Sequence, residues 1–493
     1  METKIQIIKF GGTSVGSGEY IRRVASIIAH KVHDSGEDFP VVVVSAMAGV
    51  TDQLLRIARL ACTGQYQDCD IELSSLKQKH LEAAKNLLLK HEDRYSQLND
   101  DLERSFSALQ QDIAKLQLCA SKALTHEIPL GTAAVAAWGE RLSVLLVAIA
   151  VRNCGVESVP VGEEAIITSD PQGEIEYPPG TVISTEPLTE ETRVNAQRLV
   201  HPLIERRIVP IMPGFIGRTT TGFITTLGRN GSDYSASVIG AALDCTEVTI
   251  YTDVDGVLSA DPRLVANARL LPRLSYAEAA RLSWFGAKVL HPRTLIPIAH
   301  RNIPVRVRNT FRPHSRGTVV GSEKTQRSAA AAITVRHQLA LITVENTDMF
   351  GAPENAGQVF ALAGRAGAAP VAICSSSGHH LSFMVEEQAA DSVLALLQHD
   401  MGTWRVICTR GLAACACIGS GFSADPMSTA RAITALAREH IPVITQGASE
   451  SGIILIVEDQ DSERALRCLH RDLIAPVIPL VRHGTQERRR EVR

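Results

Sequence analysis

A lysine shortly before two glycines, Lys9-Phe10-Gly11-Gly12-Thr13-Ser14, stands at the end of the first expected strand, 4–10. Adjacent glycines let a backbone approach a phosphate closely, and free amide groups ahead of a helix bind anions. Lys9 adds a mobile positive charge at the same place. A plain strand–turn–helix with two glycines accounts for the motif equally well. Ser45-Ala46-Met47-Ala48-Gly49-Val50-Thr51-Asp52 follows a second apolar run, 40–44. Its small residues leave room for a ligand at the edge where open α/β sheets bind ligands, or serve tight loop packing. In Gly228-Arg229-Asn230-Gly231-Ser232-Asp233-Tyr234-Ser235-Ala236 an arginine precedes a helix start. A guanidinium there can grip both oxygens of a carboxylate, and Asp233 can hold a lysine or order a metal. Ser232 or Asp233 as a helix cap is compatible with either role.

Two further segments carry charge in suggestive places. The run from Tyr251 to Arg263 holds Asp253, Asp255 and Asp261 after an apolar stretch, a pattern for nucleotide or metal handling or for a plain acidic turn. Its spacing is not that of an EF-hand. Lys288, in Phe285-Gly286-Ala287-Lys288, is a candidate phosphate contact or a solvated helix lysine. The sixteen histidines include no H-E-x-x-H or Cys/His cluster, so no protein-held metal centre is expected.

These segments need a scaffold. A first strand is expected over 4–10 and a second over 40–44, the latter continuously apolar and β-branched as a strand buried on both faces of a parallel sheet is, with a helix over 18–32 between them. Strands or hairpins are expected at 156–161, 181–184, 209–212 and 248–252, and a buried helix at 143–151. Residues 70–126, polar and almost free of Gly and Pro, predict two or three amphipathic helices forming an insertion or lid. Beyond a charged, then featureless, stretch lies a weak internal repeat: one constant offset aligns Pro370 with Pro442, Glu386 with Glu458 and Leu394 with Leu466. Each copy reads strand, helix, strand, strand, helix, which suggests two ferredoxin-like units. Residues 475–481 could add a final strand. The expected division is a catalytic domain over 1–322, a linker at 323–332, a tandem regulatory region over 333–481 and a flexible basic tail at 482–493.

At 493 residues the chain suits about three domains. A hydrophobic content of 45% with 21% charged residues is ordinary for a globular protein, and a net charge of -3 offers nothing to nucleic acid or an anionic membrane. No long uninterrupted apolar window is present, and ten scattered cysteines fit reduced thiols. A cytoplasmic location is the expectation.

Taken together and in order, the motifs resemble the aspartokinase branch of the amino-acid kinase family. They are KFGGTSV at 9–15, SAMAGVTD at 45–52, WGERLS at 138–143, PGFIG at 213–217, LGRNGSDYSA at 227–236, YTDVDGV at 251–257, ADPR at 260–263 and FGAKVLHPRT at 285–294. The resemblance covers essentially the whole chain. It is closest to the kinase half of bifunctional aspartokinase–homoserine dehydrogenases, here expected without the dehydrogenase half. It implies an α/β amino-acid kinase fold, a mainly parallel sheet sandwiched by helices, followed by two ferredoxin-like βαββαβ ACT domains. It also implies ATP-dependent phosphorylation of the side-chain carboxylate of L-aspartate, with Mg²⁺ accompanying ATP.

The resemblance assigns roles by position. Lys9 would contact the transferring phosphate, oriented by Asp233, with Gly11 and Gly12 beneath the phosphates. Thr51, Glu140, Phe215, Arg229 and Ser232 would bind aspartate. Thr252, Asp253, Leu258, Arg263 and Lys288 would bind nucleotide. Two positions depart from the family: Leu258 stands where a tyrosine is usual, and Cys374 where the first ACT unit usually offers glutamine. The second unit keeps Thr445-Gln446-Gly447-Ala448-Ser449, making Gln446 and Ser449 candidates for binding an amino-acid effector. A homodimer or dimer of dimers is implied, with neither nucleic acid nor membrane as partner. Two other readings stay open: a kinase for another acidic amino acid, and an ACT-based amino-acid sensor with weak catalysis.

Overall fold

A computed structural model describes residues 3–474 apart from 35–37, 89–91, 172–182, 288–289, 323–329, 346–352, 377–378, 403, 421, 423–424 and 450. The described residues form two compact units, Met1–Leu258 with Ala268–Thr325, and Ser259–Asn267 with Gln326–Arg493. The expected strand at 475–481 and the tail at 482–493 lie outside the described residues, as do most of the expected linker and Lys288.

In the first unit the chain runs β1 (Ile5–Phe10), α1 (Gly18–His33), β2 (Phe39–Val44), α2 (Val50–Cys62), α3 (Tyr66–Leu87), α4 (Glu92–Ser121), α5 (Ile128–Ala136) and α6 (Trp138–Asn153). It continues through β3 (Ser158–Pro160), β4 (Ile167–Thr168), α7 (Thr189–Glu205), β5 (Val209–Pro213), β6 (Ile216–Thr219), β7 (Ile224–Thr226), α8 (Gly231–Ala242) and β8 (Glu247–Thr252). It closes with β9 (Arg273–Ser275), α9 (Tyr276–Trp284), α10 (Pro292–Ala299), β10 (Val305–Asn309) and β11 (Thr318–Gly321). The main sheet has the order β3-β5-β2-β1-β8-β10-β11-β9. Every pair from β3 to β10 is parallel, so the loops after β1, β2, β5 and β8 emerge at one edge. All residues of β1 and β2 are buried, as strands covered on both faces must be. A second, three-stranded sheet, β4-β6-β7, sets a hairpin beside that edge.

The helices of 66–121 are two, α3 and α4, packed on α1, α2, α5 and α6. The stretch Ile128–Asn153 is long and apolar enough to cross a membrane, but 78% of its apolar window is buried inside the protein. Its hydropathy is that of a core element, interrupted by Glu140, Arg141 and Arg152.

The second unit contains β12 (Ala332–Glu345), α11 (Pro353–Arg365), β13 (Ala372–Ser376), β14 (His380–Glu386), α12 (Ala390–Asp400), β15 (Arg405–Ile418), α13 (Pro426–Arg438), β16 (Thr445–Ser449), β17 (Gly452–Glu458) and α14 (Ser462–Leu473). Its single sheet has the order β13-β14-β12-β15-β17-β16. The two 14-residue strands β12 and β15 pair antiparallel along their length. Residues 339–345 of β12 also pair with β14, and residues 412–418 of β15 also pair with β17. Each copy therefore borrows its fourth strand from the other's first: 405–412 completes the first copy, and 332–336 completes the second copy. For the same reason Ala330, Ala331 and Ala332 are buried rather than part of a loose linker. Ser259 also belongs here, accepting from Ile333 N–H at 2.8 Å and sharing a buried 2.8 Å hydrogen bond with His470 Nε2.

Candidate active site

The sheet edge carries a cavity of about 520 Å³ lined by Lys9, Ser45, Thr51, Asp52, Leu55, Glu140, Phe215, Thr226 and residues 228–233. Lys9, the penultimate residue of β1, alternates into it while Ile8 and Phe10 enter the core. Its Nζ lies 2.5 Å from Asp233 Oδ1, in the first turn of α8. The side chains are only 9% and 15% exposed, so the pair is largely withdrawn from water. Behind it Gly11 N–H donates to the Tyr251 carbonyl at 3.1 Å, tying the glycine turn to β8. Gly12 is needed for close approach, since a Cβ there would sit 2.9 Å from the Ala46 carbonyl oxygen.

Glu140, in the first turn of α6, is 1% exposed and accepts from Ala46 N–H at 3.2 Å through Oε1. Its Oε2 is buried without a hydrogen-bond partner. Burial pushes this carboxyl up to about 8, because losing water disfavours the charged form. A buried acid with one unsatisfied oxygen facing a cavity is a receptor for a cation or donor.

Opposite lies the loop into α8. Asn230 caps that helix at φ 54, a left-handed conformation that asparagine tolerates. Ser232 Oγ donates to Ser45 Oγ at 3.1 Å. Phe215 sits at φ 64 in the turn between β5 and β6, an uncommon conformation for an aromatic residue. A Cβ at Gly231 would meet the Phe215 ring at 2.8 Å, and one at Gly214 would meet Ser232 Cβ at 2.7 Å, so both glycines permit this approach. Arg229 is exposed in the cavity mouth, and among the described residues nothing bonds its guanidinium. Its loop is held from α10: Arg293 donates to the Leu227 carbonyl and to Glu186 Oε1, both at 2.7 Å, and stacks over Tyr234 at 4.4 Å.

Lys9, Asp233, Thr51, Glu140, Phe215, Arg229 and Ser232 thus share one cavity. The expected nucleotide residues do not all join them. Thr252 ends β8 and Asp253 follows it, where Asn309 Nδ2 donates to the Asp253 carbonyl at 3.2 Å and to Asp255 Oδ1 at 2.9 Å. Leu258 bridges Leu270 in the same unit. Arg263 lies in the segment grouped with the second unit, exposed and paired with Asp261. Lys288 is outside the described residues. Gln446 and Ser449 lie on β16, an edge strand, with Gln446 exposed. Among the described residues none of 70–126 lines the cavity, and α3 and α4 pack against α1, α2, α5 and α6. Ser45, Asp52 and Asn230 were within reach of their motifs. Thr226 and Leu55 carried no signal, because only the β6–β7 hairpin and the face of α2 bring them here.

No group of three His, Cys, Asp or Glu side chains converges among the described residues.

Comparisons with known proteins show what the chain is similar to. A sequence model of the amino acid kinase family matches residues 4–309, and one of the ACT domain matches 416–473. The chain is 34% identical over 483 residues to bifunctional aspartokinase/homoserine dehydrogenase 2, chloroplastic, of Arabidopsis thaliana, covering 94% of this chain and 50% of that protein. It therefore spans about half the length of such bifunctional relatives. It is 30% identical over 482 residues to aspartokinase 1, chloroplastic, of the same plant, covering 94% and 79%. Among solved structures, E. coli aspartokinase III in complex with aspartate and ADP superposes with a TM-score of 0.76 at 27% identity, over 96% of this chain and 100% of that one.

Proposed function

This chain belongs to the amino acid kinase family, in its aspartokinase branch, and on that premise we propose that it transfers the γ-phosphoryl group of ATP to the side-chain carboxylate of L-aspartate. The product is 4-phospho-L-aspartate, the entry to the aspartate-derived amino acids lysine, threonine and methionine. The observation that carries this reading is the convergence, in one cavity, of a buried lysine–aspartate pair, an unpaired guanidinium and a buried acid with a free oxygen.

The chemistry needs little more. A carboxylate nucleophile is ionised at neutral pH, so no general base is required. The difficulty is bringing two anions together and steadying charge on the transferring group, which is a matter of positioning and electrostatics. Lys9, held by Asp233, would meet the phosphoryl oxygens. Arg229 would take the α-carboxylate, Glu140 the ammonium, and Thr51, Ser232 and Phe215 would complete the substrate's surroundings. This leaves the side-chain carboxylate aimed at the phosphate end of the cavity. Thr252 and Asp253, with Gly11 and Gly12, would bound the nucleotide. Mg²⁺ bound to the nucleotide would neutralise phosphate charge. An ADP-release assay over L-aspartate, L-glutamate and N-acetyl-L-glutamate tests the substrate: turnover should be confined to aspartate, and preference for either other acid would overturn the assignment.

Glu140 gives a pH signature. In the folded protein its carboxyl is held up to about 8, against an ordinary 4.5. The stability contributed by its neutral form is therefore fully present below about 4.5 and is lost as pH rises through about 8. Pairing with the substrate ammonium needs the anion, so KM for aspartate should fall as pH rises from about 6.5 to 8.5. Glu140→Gln should raise KM and flatten that slope. A slope unchanged in the variant would remove Glu140 from substrate binding.

The ACT region suggests feedback by an amino acid, with Gln446 and Ser449 as effector contacts and association of chains through this region into a homodimer or dimer of dimers. Threonine is the effector favoured by resemblance to the bifunctional enzymes. Cys374, partly buried on β13, cannot both donate and accept as a glutamine amide does. Threonine inhibition should be weak or absent, and Cys374→Gln should strengthen it roughly 10- to 100-fold. Strong inhibition of the unaltered protein at micromolar threonine would contradict this.

A further inference from the structure

A second cavity in the catalytic unit, of about 470 Å³, shares no lining residue with the first. Its walls come from α1, from the ends of β8 and β10, and from the segment after β10. His30, Lys31, Arg308 and His314 line it, and no carboxylate does. Among the lining side chains the charge-bearing types are all basic, a composition that favours an anion.

Arg308 makes the imbalance specific. It pairs in register with Tyr251 on β8, so its backbone is fixed by the sheet. Its Nε is buried without a hydrogen-bond partner, and among the described residues nothing else bonds its guanidinium. A buried N–H of a permanently charged group left without an acceptor is costly, and native proteins rarely leave one. His30 and His314 likewise have no bonded partner among the described residues. A planar guanidinium flanked by two imidazoles from separate segments suits an oxyanion, which takes two guanidinium N–H groups at once. The cavity exceeds what a bare phosphate fills, and Ile27 and Tyr251 give it an apolar wall.

We infer that this cavity binds a small organic anion, one bearing a phosphate or carboxylate group held by Arg308 with His30 and His314. The inference does not depend on the substrate of the first cavity. It is tested by calorimetric titration of the full chain with inorganic phosphate, glycerol 3-phosphate and malonate at constant ionic strength. Phosphate-bearing and carboxylate-bearing ligands are distinguished by which of the three saturates at the lowest concentration. Arg308→Gln should weaken the tightest of them by roughly tenfold or more. Arg229→Gln, which alters the first cavity, should leave that binding in place. Should Arg308→Gln fail to fold, His314→Gln, at an exposed position, should show the same direction of loss. Equal affinity in the Arg308 and His314 variants, loss in the Arg229 variant instead, or no binding of any of the three anions would overturn the inference.

Discussion

Replacing Lys9 by alanine should lower turnover with aspartate by at least about 100-fold, the usual consequence of removing one group that steadies developing charge. The same substitution should also cost stability. From sequence, a lysine facing a cleft looks removable with little effect on folding. The structure revises that, because Lys9 is 2.5 Å from Asp233 and both are largely buried. Removing one partner of a buried pair leaves the other charge uncompensated, at a cost of about 3 kcal/mol. The two effects separate in a double-mutant cycle. Lys9→Ala with Asp233→Ala should recover much of the lost stability, read as the midpoint of urea unfolding, but none of the turnover. Near-normal turnover in Lys9→Ala would remove the lysine from the reaction.

Arg229→Lys should raise KM for aspartate roughly 10- to 100-fold with little change in KM for ATP. Lysine keeps the charge but not the planar pair of donors, and hydrogen bonds to charged groups contribute about 1.5–3 kcal/mol. Because Arg229 is exposed and nothing among the described residues bonds it, stability should change by no more than about 0.5 kcal/mol. Steady-state kinetics with each substrate varied in turn decides this. An equal loss of ATP affinity would move Arg229 to the nucleotide.

The sequence made the catalytic scaffold legible where physics is local. A continuous apolar run disclosed β2, and glycines disclosed the turns after β1 and β2, because burial on both faces and close backbone approach each restrict residue type. The repeat disclosed the order of elements in the second unit. It could not disclose that β12 and β15 each serve two copies, because strand pairing across 332–345 and 405–418 leaves no periodic mark. The small residues at 330–332, read as a linker, are small because they are buried at the entry to β12. Partnerships between distant positions were equally hidden. Glu140 meets Ala46 across 94 positions, and Arg293 meets Leu227 across 66. Only resemblance pointed to Glu140, and Arg293 stood inside the FGAKVLHPRT motif with no role assigned to it. Arg263 follows the nucleotide loop in sequence, yet 259–267 groups with the second unit, where Ser259 bonds Ile333 and His470, a partnership with no local mark in the sequence.

The most direct test of the account is chemical capture of the product. An acyl phosphate reacts with hydroxylamine to give a hydroxamate at the carbonyl that carried the phosphate. With ATP, L-aspartate and hydroxylamine present, the account predicts aspartate β-hydroxamate formed in step with ADP and lost in Lys9→Ala. ADP released without hydroxamate, or hydroxamate at the α-carboxyl, would contradict phosphorylation of the aspartate side chain.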